Sequence, residues 1–192
     1  MKSLKVSSRL ALTTGVLVVL LIAVGAMGLF GLSSSNRALN TVYADRVVPL
    51  GQLSQLQQQH ADVQDALHEA VEKRESAAIA HAVALESRRR QDHAVTWAAY
   101  RATFLTPEEK TLASDLEAAE ATYRRDGVDP LVSTLQAGDF AAATKLSSGV
   151  LARSTQALAA SRAKLVRLQI DVAVQENAAT QASFDVWVAA TA

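Results

Sequence analysis

The chain has 192 residues, with 19 basic and 19 acidic side chains and no cysteine. Balanced charge leaves no electrostatic footprint for nucleic acid, and the missing thiols exclude disulfides and thiolate metal sites. With 8 glycines and 3 prolines against abundant alanine, the composition favours long helices over a sheet.

Residues 10–36 carry no charge and are mostly aliphatic, with Lys2, Lys5 and Arg9 in front of them. About 20 apolar residues suffice for a helix to cross a bilayer. A transmembrane helix is therefore expected over 10–34, with residues 1–9 cytoplasmic and the rest of the chain outside. A cleaved signal peptide would end at a small-x-small site. Ala23, Gly25 and Ala26 resemble such a site, but the apolar run continues past them through Leu29, Phe30 and Leu32.

The next segment keeps helical periodicity. Leu50, Leu53, Leu56, Val63, Leu67 and Val71 step by three and four, and no stop signal separates them from the membrane segment. Pro49 is expected to kink this first rod locally, and Ser76 to cap the second helix after a short turn at Arg74 and Glu75. The second helix carries a stripe through Ile79, Val83, Glu86, Arg90, His93, Trp97, Tyr100 and Phe104. Thr106-Pro107-Glu108-Glu109 reads as a strong helix start, with a cap, a proline at the first position and acids in the first turn. Leu112, Leu116, Ala119, Tyr123, Leu131 and Leu135 mark the third helix, with a bend expected at Gly127 and Pro130. Gly138 ends it and Asp139 caps the fourth. That helix shows Val150, Leu151, Leu158, Leu165, Leu168 and Val172 and runs to the end of the sequence. Trp187 there suits a membrane interface or packs on the bundle, and a second crossing with an output domain is expected to follow.

The expected fold is all-α. It is an antiparallel up-down-up-down four-helix bundle, with helices near 35–73, 77–104, 107–137 and 139–192, the first continuous with the transmembrane helix. No nucleotide-binding loop, nucleophile elbow or zinc-protease motif is present. The four histidines show no metal-ligand spacing, so no catalysis, cofactor or metal is expected.

Polar residues interrupt the apolar stripes at matching heights. His60 lies between Leu56 and Val63, and Glu86, Arg90 and His93 lie between Val83 and Trp97. At a rise of about 1.5 Å per residue, Tyr123, Arg124 and Arg153 reach a similar level. Two readings are open. His60, Arg90, His93, Tyr123, Arg124 and Arg153 form a pocket for a small organic acid or amino acid, since arginine binds carboxylates bidentately. Alternatively Glu86, Arg90 and His93 satisfy one another, and the run Arg88-Arg89-Arg90 is a solvated face. A second candidate region surrounds Lys73 and Arg74 at the far end of the first rod.

The chain resembles the N-terminal sensory region of bacterial methyl-accepting chemotaxis proteins. The resemblance rests on the basic-then-apolar start, on Tyr43-Ala44-Asp45-Arg46-Val47-Val48-Pro49-Leu50, on Leu105-Thr106-Pro107-Glu108-Glu109, and on Leu135-Gln136-Ala137-Gly138-Asp139. It covers almost the whole chain. It implies a periplasmic, homodimeric bundle on the cell inner membrane. Ligand binding would shift helix four and signal through a HAMP linker to a cytoplasmic hairpin controlling a histidine kinase. The same bundle fronts some sensor histidine kinases and diguanylate cyclases, and a ligand-free structural bundle is a third reading.

Overall fold

The computed structural model describes the backbone of residues 6–191 and the side chains of 14–29, 31–33, 43–179 and 181–182. The basic flank Lys2, Lys5 and Arg9 and the terminal Trp187 lie outside the described side chains. The chain divides into two units, residues 1–41 and 42–192.

The first unit is built on helix α1 (Val6–Val42). Its stretch Thr14–Ser33 is 20 residues long with a mean hydropathy of 2.6, long and apolar enough to cross a membrane. Every described side chain in that stretch is exposed, Leu21 at 72% and Leu29 at 71% among them. A helix that is apolar on all sides is stable where its surroundings are apolar.

The second unit is all-α and bundled as four rods. The first rod is a wide π-helical turn (Tyr43–Val47) followed by α2 (Val48–Lys73). Backbone hydrogen bonding stays helical from Val6 through Lys73. Helix α3 (Ser76–Arg101) is the second rod. The third is α4 (Pro107–Thr122), a π-turn (Tyr123–Val128) and α5 (Asp129–Gln136). The fourth is α6 (Phe140–Leu146), a π-turn (Ser147–Leu151) and α7 (Ala152–Thr191).

The punctuation has identifiable causes. Thr106 caps α4 through a reciprocal capping box, its hydroxyl accepting from the Glu109 N–H at 3.2 Å while the Glu109 carboxylate accepts from the Thr106 N–H at 2.5 Å. Asp139 caps α6 by accepting from the Ala142 N–H at 3.0 Å, after Gly138 turns the chain at φ 74°. Ser76, in contrast, is not a cap. Arg74 adopts the left-handed conformation (φ 56°), which reverses the chain one residue earlier, so Glu75 takes the cap position and Ser76 is already helical. Pro49 and Pro130 each sit in the first turn of a helix just after a π-turn. The widened turn absorbs what would otherwise be a clash between the proline ring and the carbonyl four residues back.

Packing pairs α2 with α3 across the short turn at Arg74, and α4 with α7. Leu53, Leu56 and Leu67 of α2, Tyr100 of α3, Leu131 and Leu135 of α5, and Leu158 and Leu165 of α7 are almost wholly buried. Gly127 fixes the level at which the third and fourth rods meet. A Cβ there would lie 3.0 Å from both Leu151 Cδ1 and Ser154 Oγ, so only glycine admits this approach without a shift.

Candidate functional site

In the middle of the bundle each rod contributes a polar side chain to its own apolar stripe, because the stripe is where side chains point inward. α2 supplies His60, α3 His93, α4 Glu120 and α7 Arg162. His60, Glu120 and Arg162 are buried, and His93 is half-buried. The His60 Nε2 lies 2.7 Å from Glu120 Oε2, and the His93 Nε2 lies 3.7 Å from Glu120 Oε1. Arg124 donates from Nε to Glu120 Oε1 at 2.6 Å. The two imidazole rings are 5.2 Å apart, and Tyr123 meets His60 edge-on at 5.5 Å. Trp97 stacks between His93, at 6.5 Å, and Tyr100, at 5.3 Å, giving α3 a flat aromatic wall.

Beside this cluster is a cavity of about 230 Å³, lined by Leu56, Trp97 and Leu116 on its apolar side and by His60, His93, Glu117, Glu120, Arg124 and Arg162 on its polar side. Glu120 has the Arg124 guanidinium as counter-ion. Arg162 is only 7% exposed and makes no ion pair or hydrogen bond among the described residues. Burial pulls its guanidinium below the ordinary arginine range, with Glu120 opposing from a distance. Glu117 at the rim is exposed and pairs with Arg101 at 3.0 Å, so among the described residues the buried charge facing the cavity without an ion-pair partner is Arg162, and its neutralisation favours an anion.

The residues singled out from the sequence separate into two groups. His60, His93, Tyr123 and Arg124 converge. Arg90 lines a smaller adjoining cavity, but it is held outward by Glu86 (2.6 Å) and by Asp129 (2.5 Å) and is 41% exposed along its side chain. For Glu86 and Arg90, mutual satisfaction is what the structure shows, whereas His93 turns inward. Arg153 does not join the cluster. It is exposed, and its neighbours Leu151 and Ser154 pack against Gly127, about two turns from Glu120 along the third rod. The fourth rod's inward arginine is Arg162. At the far end, Lys73 pairs with Glu69 at 2.5 Å and Arg74 lies over the Phe140 ring at 5.7 Å.

A second buried polar network lies at the other end of the bundle, where the α3–α4 connection meets the start of the first rod. Arg46, 2% exposed, donates to Glu109 (2.9 Å, 0% exposed), to Gln169 (3.3 Å), and through two nitrogens to Glu176 (3.1 and 2.8 Å). It joins the first, third and fourth rods.

The Tar ligand binding domain homologue family matches residues 1–182. The chain belongs to this family. It is also 31% identical over 143 residues to the methyl-accepting chemotaxis protein NahY of Pseudomonas putida, an alignment covering 74% of this chain and 26% of that protein. The chain thus spans about a quarter of this relative's length. No solved structure matches closely enough to count as a relative.

The central cluster gives this ligand-binding domain a defined response to acid. Burial pulls the His93 imidazole down from 6.5 to about 4, with Arg124 and His60 adding to the effect and Glu120 opposing it. Glu120, which burial alone would raise, is held down at about 2 by His60, His93 and Arg124. The folded state refuses a proton on His93 that the unfolded chain accepts below 6.5, so stability falls between there and about 4. The Glu120 contribution is present above its ordinary 4.5 and is lost as the pH falls toward 2. Both act in the same direction. The unfolding midpoint, followed by circular dichroism in EDTA, is expected to drop steadily on acidification from neutral pH. His93→Leu is expected to flatten the upper part of that decline, and an unchanged profile in this variant would refute the assignment.

Proposed function

We propose that this chain is the extracytoplasmic sensory region of a transmembrane chemoreceptor. In this reading Thr14–Ser33 anchors it in the cell inner membrane, the bundle lies on the periplasmic side, and it works as a homodimer. The name of the Pseudomonas relative favours a chemotaxis output over a sensor kinase or cyclase. The ligand is a small organic carboxylate. Its charge meets Arg162, with His60, His93, Tyr123 and Arg124 around it, and its apolar body lies against Leu56, Trp97 and Leu116.

One observation carries the reading. A buried guanidinium with no ion-pair partner among the described residues faces a cavity large enough for a small acid, in a family defined by ligand binding. Because Arg162 stands on α7, binding there favours one placement of α7 relative to the other rods. A ligand shifts such an equilibrium only through this kind of differential affinity. The Arg46 network is the natural point of transmission, since Arg46 grips Glu176 of α7 and Glu109 of α4 together.

A thermal-shift screen of organic acids and amino acids against the full chain in detergent tests the proposal. Small monocarboxylates are expected to raise Tm and their neutral amides are not. A screen in which amides match the acids, or nothing shifts, would overturn it.

A further inference from the structure

Among the described residues, the ligand-bearing atoms of His60, His93 and Glu120 all lie within 4.8 Å of one another, although the residues come from three different helices. We infer that these three side chains form a binding site for a divalent transition-metal ion of the zinc, nickel or cobalt type.

The donor set is two imidazoles and one carboxylate, a combination these ions favour and magnesium or calcium do not. In a tetrahedral site with bonds of about 2.0–2.1 Å, ligand atoms stand about 3.3 Å apart. His60 Nε2 stands 2.7 Å from Glu120 Oε2 and His93 Nε2 stands 3.7 Å from Oε1 of the same carboxylate, and with all three ligand atoms within 4.8 Å of one another side-chain rotation is enough to reach that spacing. Both ring nitrogens of His60 are buried and neither has a hydrogen-bond partner in good geometry, and the same holds for Glu120 Oε2, although Nε2 and Oε2 are in close contact. Buried polar atoms left in this way are costly, and an ion between His60 Nε2 and Glu120 Oε2 removes the cost at those two atoms. Arg124 holds the other oxygen of Glu120 at 2.6 Å, as an outer-shell partner orients a metal-bound carboxylate. All three side chains also line the 230 Å³ cavity that holds Arg162. A position in the coordination shell is therefore open to that cavity, and Arg162 favours an anion there.

The inference stands on the ligand atoms and not on the carboxylate reading, so metal ions alone are the probe. The full chain, without a histidine tag and in detergent micelles, is titrated with ZnCl2 by calorimetry and with CoCl2 by visible absorption. One equivalent per chain is expected, with cobalt bands of low-coordinate nitrogen and oxygen ligation, and no saturable heat from MgCl2. His60→Ala and Glu120→Gln are each expected to weaken zinc binding beyond the roughly 10–100-fold that an outer-shell change costs. His68→Ala, which alters an exposed histidine beside Glu72, leaves binding intact. If a variant fails to fold, X-ray absorption of the zinc-loaded wild type still counts the coordinated imidazoles, and two are expected. No saturable binding, a spectrum without imidazole, or binding lost in His68→Ala and kept in His60→Ala would overturn the inference.

Discussion

Replacing Glu109 with alanine is expected to destabilise the bundle by roughly 2–4 kcal/mol, more than any exposed substitution. Two independent losses combine. The Thr106 N–H loses the acceptor that closes the capping box. Arg46, 2% exposed, loses the one carboxylate partner that is itself fully buried and keeps Gln169 and the 40% exposed Glu176. Arg46 stays paired with Glu176, so the cost is that of one buried charged hydrogen bond and one helix cap rather than of an unpaired charge. At this domain size the fall in Tm is about 10 °C, read by circular dichroism. Glu108→Ala, one residue away and exposed, should stay within about 0.5 kcal/mol. The double variant Arg46→Met with Glu109→Ala should lose less than the two single variants summed, because both single variants remove the same Arg46–Glu109 contact. Strict additivity would show that the two side chains do not act together.

The second large effect has the opposite sign. Arg162→Met is expected to leave the ligand-free domain as stable as the wild type or about 1–2 kcal/mol more stable. It replaces a buried charge that has no ion-pair partner among the described residues with a side chain of similar length, and buried charges replaced by apolar groups often stabilise. The same substitution should remove about 2–3 kcal/mol of carboxylate binding, roughly 30- to 100-fold in Kd. A gain in stability coupled to a loss of binding is the signature of a residue kept for its ligand. An arginine that serves only the scaffold would lose stability on replacement.

Much of the fold is legible from local punctuation. Thr106 to Glu109 is a capping box before an apolar stripe, and Gly138-Asp139 stops one helix and starts the next, so these boundaries need no tertiary information. The turn near Ser76 is less legible. It depends on a non-glycine residue, Arg74, taking a left-handed conformation that its side chain does not advertise. The site is legible where a polar residue has no apolar alternative on its stripe, as with His60 and His93. Glu120 satisfies the same spacing, four after Leu116 and three before Tyr123, but Ala119 offers an apolar route past it. Arg162 stands four after Leu158 and three before Leu165, a stronger stripe position than that of Arg153. Counting height from Asp139 favours Arg153 instead, because the level of the fourth rod is set by Gly127 against Leu151 and Ser154. Arg90 fails for a different reason. Asp129 and Glu86 draw it toward the rim, and no count along one helix foresees a partner on another. The same limit hides the group of His60, His93 and Glu120, whose members are close in space and scattered in sequence.

In the proposed function Arg162 binds a carboxylate inside the bundle. Calorimetric titration of the full chain with the strongest monocarboxylate and with its neutral amide, in the wild type, Arg162→Met and Arg153→Met, decides this. The expected result is saturable binding of the acid and not the amide, lost in Arg162→Met and retained in Arg153→Met. Equal binding of acid and amide, or acid binding that survives Arg162→Met, would contradict it.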